Sequence, residues 1–334
     1  MQTMLAALVL GVSPPADVAE ITGRVVEIHH SDQSAKKKEP ASKGKIASDE
    51  GKADDKEEDK KEDKEEEEKP EPLHKVTGQV TLVSDYRFRG ISQTMRRPAI
   101  QGNIDYSNIC GFYAGTFGSN VDGTTHFYNN TSMEWDFYGG YRNSIPWTCS
   151  DFTYDIGAIY YYYPGGKAFV DPTVRYNTAE LYLQLGYKWF SVKVSESLTN
   201  YFGICGDNPP FNWRTDALDG PNGSSRGSTY VEGNISWDVY EKVLWWKCYP
   251  YCFKGGKLNL QLHAGHQWVR HYRHLDYTDW RVTATQELEW FSVFLSYVGT
   301  NGGHAYYNVP DNGFHRKIRH LGCNELLGGI TRSF

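Results

Sequence analysis

No segment of this 334-residue chain approaches the run of about 18 apolar residues that a membrane-spanning helix requires. The absence excludes a helical membrane protein, and the mean hydropathy of −0.60 looks like that of a soluble chain. It does not exclude a membrane β-barrel, because each barrel strand is only half apolar and its signal is diluted. The membrane question therefore depends on periodicity rather than on hydrophobic runs.

The chain also lacks a basic surface stripe. Residues 31–73 carry 11 Lys against 16 Asp plus Glu, which gives −5, and the rest carries 24 Lys plus Arg against 25 acids, which gives −1. Without clustered positive charge, nothing indicates nucleic-acid binding. The chain is predicted to have no nucleic-acid partner.

No convergent set of acid, base and nucleophile is visible, so we predict neither an enzyme nor a cofactor. Gly223, Ser225 and Gly227 match G-x-S-x-G, but PNGSSRGS has a loop composition, whereas a hydrolase elbow needs a strand, a tight turn and a helix. His263 and His266 have opposite parity on one predicted strand, so they face opposite sides. They are not expected to form a joint site.

Metal and redox chemistry are equally weakly indicated. His271 and His274 lie in a predicted loop and could bind a metal, although solvated loop histidines are the commoner case. Cys248 and Cys252 form C-x-x-x-C, which is not the redox C-x-x-C spacing. No metal site is predicted.

Two N-terminal segments precede the patterned part of the chain. Residues 1–23 contain the apolar run MLAALVLGV and then small residues and prolines, which predicts an atypical signal peptide. Residues 24–73 are predicted to be a charged, low-complexity periplasmic tether, disordered or helical. The low-complexity stretch 30–73 has no aromatics and few large apolar residues to offset the entropy of ordering.

Residues 74–334 alternate apolar and polar side chains with a period of two, which indicates β-strands. In VTGQVTLVSDYRF, Val76, Val80 and Leu82 share one face, while Gln79 and Thr81 share the other. Twelve segments show this pattern: 76–88, 99–107, 111–120, 132–142, 152–163, 179–189, 190–198, 229–240, 257–270, 279–290, 292–299 and 326–334. We predict an all-β, antiparallel, up-and-down transmembrane barrel of about twelve strands.

Alternation alone does not separate a barrel in lipid from a sandwich in water. The strand lengths match a tilted crossing of the hydrocarbon layer, aromatics cluster near strand ends, and the polar faces carry opposite charges. Connections 119–130, 163–177, 200–228 and 301–323 are long, whereas most alternate ones are short, as expected for outer-membrane barrels. Two connections, 143–151 and the Trp-rich 241–256, depart from that rule.

The first barrel segments resemble a known family. V-T-L-V-S-D-Y-R-F-R-G-I-S-Q at 80–93, P-A-I-Q-G at 98–102 and G-F-Y-A-G-T-F-G-S-N-V-D at 111–122 are similar to the N-terminal signature of the TorF family of porins, also described as the Gcw_chp domain. The terminal GGITRSF is similar to that family's closing strand. The resemblance implies an outer-membrane barrel with a pore role.

The parity of the strands predicts which charged side chains line the pore. The predicted acids are Asp85, Asp105, Glu134, Asp136, Asp155, Glu180, Glu232, Asp238, Glu287 and Glu289. The predicted bases are Arg87, Arg89, Arg142, Lys188, Lys193, Lys257 and Arg281. The excess of acids predicts a mild cation preference, unless these charges only pair with one another and hold the barrel's shape.

Six cysteines in an oxidising compartment favour disulfides. Cysteines on the same predicted side of the membrane are expected to pair. The predicted disulfides join Cys248 with Cys252, Cys110 with Cys149, and Cys205 with Cys323. The sequence alone does not determine connectivity.

The sequence thus predicts passive diffusion of small hydrophilic solutes or ions through the outer membrane of a Gram-negative-type bacterium. A folded outer loop such as 200–228 could close the pore. The predicted partners are outer-membrane lipid, the solutes, and the barrel-assembly machinery through Phe334. The alternatives are a structural or adhesion barrel that does not conduct, and a soluble β-sandwich that binds carbohydrate.

Overall fold

The computed structural model describes residues 72–122, 131–145, 151–168, 170–212, 214–220, 222–239, 257–303, 305–310 and 318–334. The predicted signal peptide, nearly all of the predicted tether, and Cys149, Cys248 and Cys252 lie outside these residues. No helix in the described part is long and apolar enough to cross a membrane.

Twelve long strands make up the body of the protein. They are β1 His74–Val83, β2 Ala99–Asn108, β3 Phe112–Asn120, β4 Met133–Ser144, β5 Phe152–Tyr162, β6 Thr178–Tyr187, β7 Phe190–Ser197, β8 Thr229–Val239, β9 Leu258–Trp268, β10 Tyr277–Glu287, β11 Ser292–Thr300 and β12 Glu325–Ser333. Each pairs antiparallel with its neighbours, and β12 pairs with β1 to close the barrel. The predicted strand number and topology are confirmed.

The seam between the first and last strands is extended by the final residue. Gln79 lies opposite Ser333 and Val83 opposite Gly329. Beyond the paired register, the backbones of Gly78 and Phe334 exchange two hydrogen bonds of 2.9 Å. Closure leaves no free sheet edge, which a barrel in lipid requires because hydrocarbon satisfies no backbone groups.

The apolar faces of the strands point outward. Trp135, Leu183 and Leu262, which a soluble sandwich would bury at its centre, are 42%, 45% and 47% exposed. Their neighbours Glu134 and Gln184 are buried inside the barrel. An apolar exterior around a polar interior is the arrangement of a transmembrane β-barrel.

The two ends of the barrel differ in the length of their connections. The turn end carries the connections 109–111, 145–151, 188–189, 240–257 and 288–291 and both ends of the barrel chain, whereas the loop end carries 84–98, 121–132, 163–177, 198–228, 269–276 and 301–324. At the turn end, Trp189, Trp237 and Trp290 are exposed on the outside. Indole rings there suit the boundary between lipid and water.

The loop end adds small elements to the barrel. It contains the two-stranded pairs Arg87–Phe88 with Ile91–Ser92, Phe211–Asn212 with Ala217–Leu218, and Asn308–Pro310 with Ile318–His320, and the 3₁₀ turns Tyr201–Gly203 and Arg273–Leu275. They build a folded layer above the strands rather than open loops.

Glycine makes room for tyrosine on the inner wall. A Cβ at Gly265 would lie only 2.1 Å from the Tyr230 hydroxyl on the adjacent strand β8. The missing side chain lets the buried Tyr230 ring lie across the wall instead of standing upright in the lumen. This packing gives one reason for a chain with 24 Tyr and 33 Gly.

The outward orientation makes a testable prediction. Leu183→Arg, near the middle of β6, should destabilise the protein folded in lipid vesicles by about 2–4 kcal/mol, because a guanidinium at mid-bilayer is poorly solvated. Val76→Arg, close to the turn end, is the matched control and should cost at most about 1 kcal/mol. Equal effects in urea titrations of the two variants would contradict the assignment.

Two predictions about local structure are wrong. The first segment does not continue as a strand to Phe88: β1 ends at Val83, and Tyr86 and Phe88 are buried rather than on the lipid side. Cys205 and Cys323 are both free cysteines. They share an end of the barrel, but Cys205 lies in a turn bridged to Asn208, while the carbonyl of Cys323 accepts from Arg87; sharing an end does not give disulfide geometry.

The third described cysteine, Cys110, is also free and is exposed in the turn 109–111. Its predicted partner Cys149 lies outside the described residues, as do Cys248 and Cys252.

Candidate functional site

The connection between β1 and β2 folds into the barrel, and we call residues 84–98 the inward hairpin. Its strands pair Phe88 with Ile91 and Arg87 with Ser92. Arg89 and Gly90 form the two-residue turn, with φ of 44° and 77°. Positive φ at both positions is the type I′ pattern of tight hairpins.

The tip of the inward hairpin requires glycine. A Cβ on Gly90 would lie 2.4 Å from Thr300 Cγ2 and 2.9 Å from Asp279 Cβ, so the tip presses directly against β10 and β11. A side chain there would have to displace the barrel wall.

Arg89, at the tip, crosses the lumen to the opposite wall. Its guanidinium donates to both carboxylate oxygens of Glu180 on β6, at 3.2 and 2.6 Å, and to Gln267 on β9 at 2.7 Å. It also lies 4.2 Å from the ring centroid of Tyr230. All four side chains are buried, so this forked ion pair holds the tip without help from bulk water.

Asp85 and Arg87 hold the base of the hairpin. Asp85 accepts hydrogen bonds from Arg87 Nε at 2.6 Å, Ser92 Oγ at 2.6 Å and Thr94 Oγ1 at 2.9 Å. Arg87 also donates to the carbonyl of Leu321 at 2.6 Å. One carboxylate therefore closes the hairpin on itself, and one guanidinium ties it to the connection before β12.

A second acid–base pair joins the hairpin base to the barrel wall. Glu325, the first residue of β12, bonds Arg87 and also accepts from Arg96 Nε at 2.9 Å and Nη2 at 3.1 Å. A cavity of about 30 Å³ lies between the hairpin base and β10–β12. The hairpin therefore occupies part of the lumen near the loop end.

Below the hairpin, charged and phenolic groups compensate one another across neighbouring strands. Lys193 Nζ lies 3.5 Å from Glu232. The Tyr113 hydroxyl donates to Asp155 at 2.5 Å, and Arg142 lies 3.9 Å from the same carboxylate. These contacts offset part of the cost of burying the charges.

A histidine network completes the inner wall. His263 Nε2 lies 2.9 Å from Asp279, and His263 Nδ1 lies 2.8 Å from the amide oxygen of Asn234. The Tyr230 hydroxyl donates to Asp279 at 3.0 Å. As the parity argument predicts, His266 lies on the other side of β9, where it contacts Thr278 and Trp268.

The seventeen predicted pore-lining residues fall into three groups. The buried interior group is Asp85, Arg87, Arg89, Glu134, Asp136, Asp155, Glu180, Lys193, Glu232 and Arg281. The half-buried group, towards the turn end, is Asp105, Arg142, Asp238 and Glu287, and the group exposed at the turn end is Lys188, Lys257 and Glu289. Lys188 lies in the β6–β7 turn, 3.8 Å from Asp151, rather than inside the lumen.

Several lumen residues were not predicted. Asp279 shares the inward parity of Arg281, which could have identified it, but it lies at the end of its predicted segment. Tyr113, Tyr182 and Tyr230 are absent from the predicted set because that set contains only charged residues. Their parity with inward polar residues was the available signal.

The loop residues considered for chemistry have structural partners. Ser225 is buried, its hydroxyl bonds the carbonyl of Ile204, and it accepts from Tyr201 N at 2.8 Å. His271 Nδ1 donates to the carbonyl of Ser224 at 2.7 Å. In the part of the chain that the structure describes, no group of three or more His, Cys, Asp or Glu residues could hold a metal ion.

The strand pairing, the apolar exterior and the polar, occupied lumen define the protein as a transmembrane β-barrel with an inward loop. The chain belongs to the Gcw_chp family, described as bacterial proteins of unknown function, whose family model matches residues 67–334.

Solved structures with a similar chain course include porins. A structure titled "KdgM porin" has 9% identity, covers 78% of this chain and 98% of its own, and has a TM-score of 0.39. The NanC porin has 9% identity, covers 78% of this chain and 99% of its own, and has a TM-score of 0.41. LpxR from Salmonella typhimurium has 9% identity, covers 77% of this chain and 99% of its own, and has a TM-score of 0.36. No curated protein matches this chain.

Proposed function

We propose that the protein is an outer-membrane channel for small hydrophilic solutes or ions. The observation that carries this proposal is the buried charge of its closed interior. Six acids and four bases among the predicted pore residues are buried there. A barrel with only a structural role could fill the same space with apolar side chains at lower desolvation cost, whereas polar wall groups can replace the water around a passing solute.

The proposed location is the outer membrane of a Gram-negative-type bacterium, with the turn end in the periplasm. Connections at one end that are short apart from 240–257, and mostly longer ones at the other end, support this orientation. Phe334, exposed beside the barrel seam, is available there to the barrel-assembly machinery.

In this proposal the inward hairpin closes the channel. The inward hairpin lies across the lumen. Buried charged side chains of the barrel wall, such as Glu134 and Glu232, have almost no exposed surface. Passage then requires the hairpin to move away from Glu180. The sequence-based expectation assigned closure to 200–228, but that segment packs above the hairpin through Phe202, whose ring lies 5.3 Å from Phe88.

The wall charges predict ion selectivity. Neutralising two buried acids of β4, in Glu134→Gln with Asp136→Asn, should lower the cation-to-anion permeability ratio in planar-bilayer reversal potentials, because an acidic wall stabilises cations. Glu289→Gln, exposed at the turn end, is the control and should leave the ratio unchanged. An unchanged ratio in the double variant, with conductance intact, would remove the selectivity claim.

The second candidate is a structural or adhesion barrel without conduction. The pairing of its interior charges, such as Lys193 with Glu232 and Arg89 with Glu180, favours it, because paired charges also hold a barrel's shape. Single-channel recording separates the two candidates. A barrel that stays silent even without the inward hairpin would be structural.

A further inference from the structure

A cavity of about 140 Å³ lies between the inward hairpin and the loops above it. The hairpin contributes Phe88, Ile91 and Met95 to its wall, and the other walls come from the 163–177, 198–228, 269–276 and 301–324 connections and from Tyr277 of β10. Tyr201, in its wall, borders Arg89 and Glu180 of the charged lumen.

The lining of this loop-end cavity is mainly apolar and aromatic. Beyond the hairpin it includes Tyr201, Phe202, Leu275, Tyr307 and Leu321. Most of these side chains belong to one buried cluster with Ile91 and Met95, so the inner wall of the cavity is part of a packed core. Such a lining offers dispersion contacts and ring faces to a ligand but little solvation for a charge.

The polar groups at the cavity are already engaged by the protein. The Gln93 amide donates to the carbonyl of Ile91 at 2.8 Å, and the Asn208 amide donates to that of Gly203 at 3.1 Å. The Tyr306 hydroxyl donates to Asp219, and burial together with this bond raises the pKa of Tyr306 to about 12, so the phenol is neutral at pH 7. Among the described lining residues, a ligand therefore meets no charged side chain and few free hydrogen-bonding groups.

We propose that the loop-end cavity binds a small, uncharged aromatic molecule. Its volume is close to the ~150 Å³ of an engineered apolar cavity that stays dry and takes up benzene. Val170 and Leu218, at its edge, are 39% and 44% exposed, which gives the ligand an entrance from the loop side. The ring faces of Phe88 and Phe202 favour an aromatic guest over an alkyl chain.

Occupancy also affects the hairpin. Because Phe88, Ile91 and Met95 form one wall, a bound ring stabilises the hairpin in its inward position, as any ligand stabilises the state that holds its site. Binding itself does not depend on conduction. The site remains even if the barrel proves to be structural, so failure of one proposal leaves the other open to test.

The test uses 4-fluorophenol and fluorine NMR on the full chain in lipid nanodiscs, with empty nanodiscs to subtract partitioning. We expect saturable binding with a Kd of about 0.1–1 mM, within the range for so few heavy atoms. Val170→Trp, which places an indole at the entrance, should weaken binding at least about tenfold, and so should Leu218→Trp from the other side of the entrance. Val194→Trp, a lipid-facing valine that is 42% exposed, should leave it unchanged.

Three outcomes would overturn the proposal. Binding could be absent in correctly folded protein, as judged by heat-modifiable gel mobility. Binding could be equal in all three tryptophan variants, which would mark nonspecific lipid uptake. Finally, hexanol, with the same number of heavy atoms as phenol, could compete better than phenol itself, which would exclude aromatic selectivity.

Discussion

Replacing the inward hairpin, residues 84–98, with a short Gly–Ser turn should convert the barrel into an open channel. Val83 and Ala99 face each other in the β1–β2 ladder, so a tight turn joins them without disturbing the wall. The replacement empties the space occupied by Arg89 and its ring contacts with Phe88 and Tyr230. Single-channel conductance should rise by about an order of magnitude or more, because ions need a hydrated path.

This experiment needs two safeguards. The variant should also carry Glu180→Gln, because loss of Arg89 would otherwise leave a buried, uncompensated carboxylate. The control keeps both Arg89 and Glu180 and carries a trim of similar length, 206–219, in the connection above the hairpin. An open channel in the control, or a silent barrel in the hairpin variant, would show that the hairpin does not close the lumen.

The second large effect concerns stability. Arg89→Ala should lower the free energy of unfolding by about 3–5 kcal/mol, because it leaves Glu180 charged and buried without its partner. The double variant Arg89→Met with Glu180→Gln should recover most of that loss, since removing both charges removes the desolvation cost as well. Urea titration of the protein folded in vesicles measures each value.

The buried Arg89–Glu180 pair can be compared with an exposed ion pair that another residue of the inward hairpin makes. Arg97 donates to Asp122 at 2.6 Å, but its side chain is 44% exposed. Arg97→Ala should therefore cost at most about 1 kcal/mol, because water screens such pairs. If Arg89→Ala and Arg97→Ala cost the same, the Arg89–Glu180 contact does not hold the hairpin in the way described.

The barrel was predictable because its physical rule is local. A period of two leads to one face in lipid and one face inward, and this holds on each strand whatever the strand pairs with. Trp135 beside Glu134 and Leu183 beside Gln184 illustrate the rule. The strand count followed directly, as did the opposite orientation of His263 and His266.

The inward hairpin was not predictable from the same rule. Tyr86 and Phe88 share the parity of Val80 and Leu82, so the alternation continues past the real end of β1 at Val83. Where a strand leaves the wall is decided by distant partners such as Glu180 and Leu321, which no local pattern contains. Gly90, directly after Arg89, was the one local sign of a tight turn.

The pairing of cysteines failed for a related reason. Assigning Cys205 and Cys323 to the same end of the barrel was correct, but an end holds six connections, and disulfide bonding needs Cα atoms within about 7 Å. The inward tyrosines show the same limit. Parity places Tyr182 and Tyr230 on the lumen side, but whether each ring can lie flat against the wall depends on a glycine on another strand, Gly157 for Tyr182 and Gly265 for Tyr230.

The most direct test of the account labels one strand at two adjacent positions. The six native cysteines are first replaced by serine. A spin label is then attached to β9 through either Gln261→Cys or Leu262→Cys. For each label in a lipid bilayer, the collision rates with oxygen and with a water-soluble nickel chelate are measured. The account predicts oxygen-dominated contact at 262, which faces lipid, and much lower oxygen contact at 261, which faces the lumen. A label at 262 shielded from oxygen, as at the centre of two stacked sheets, would contradict it.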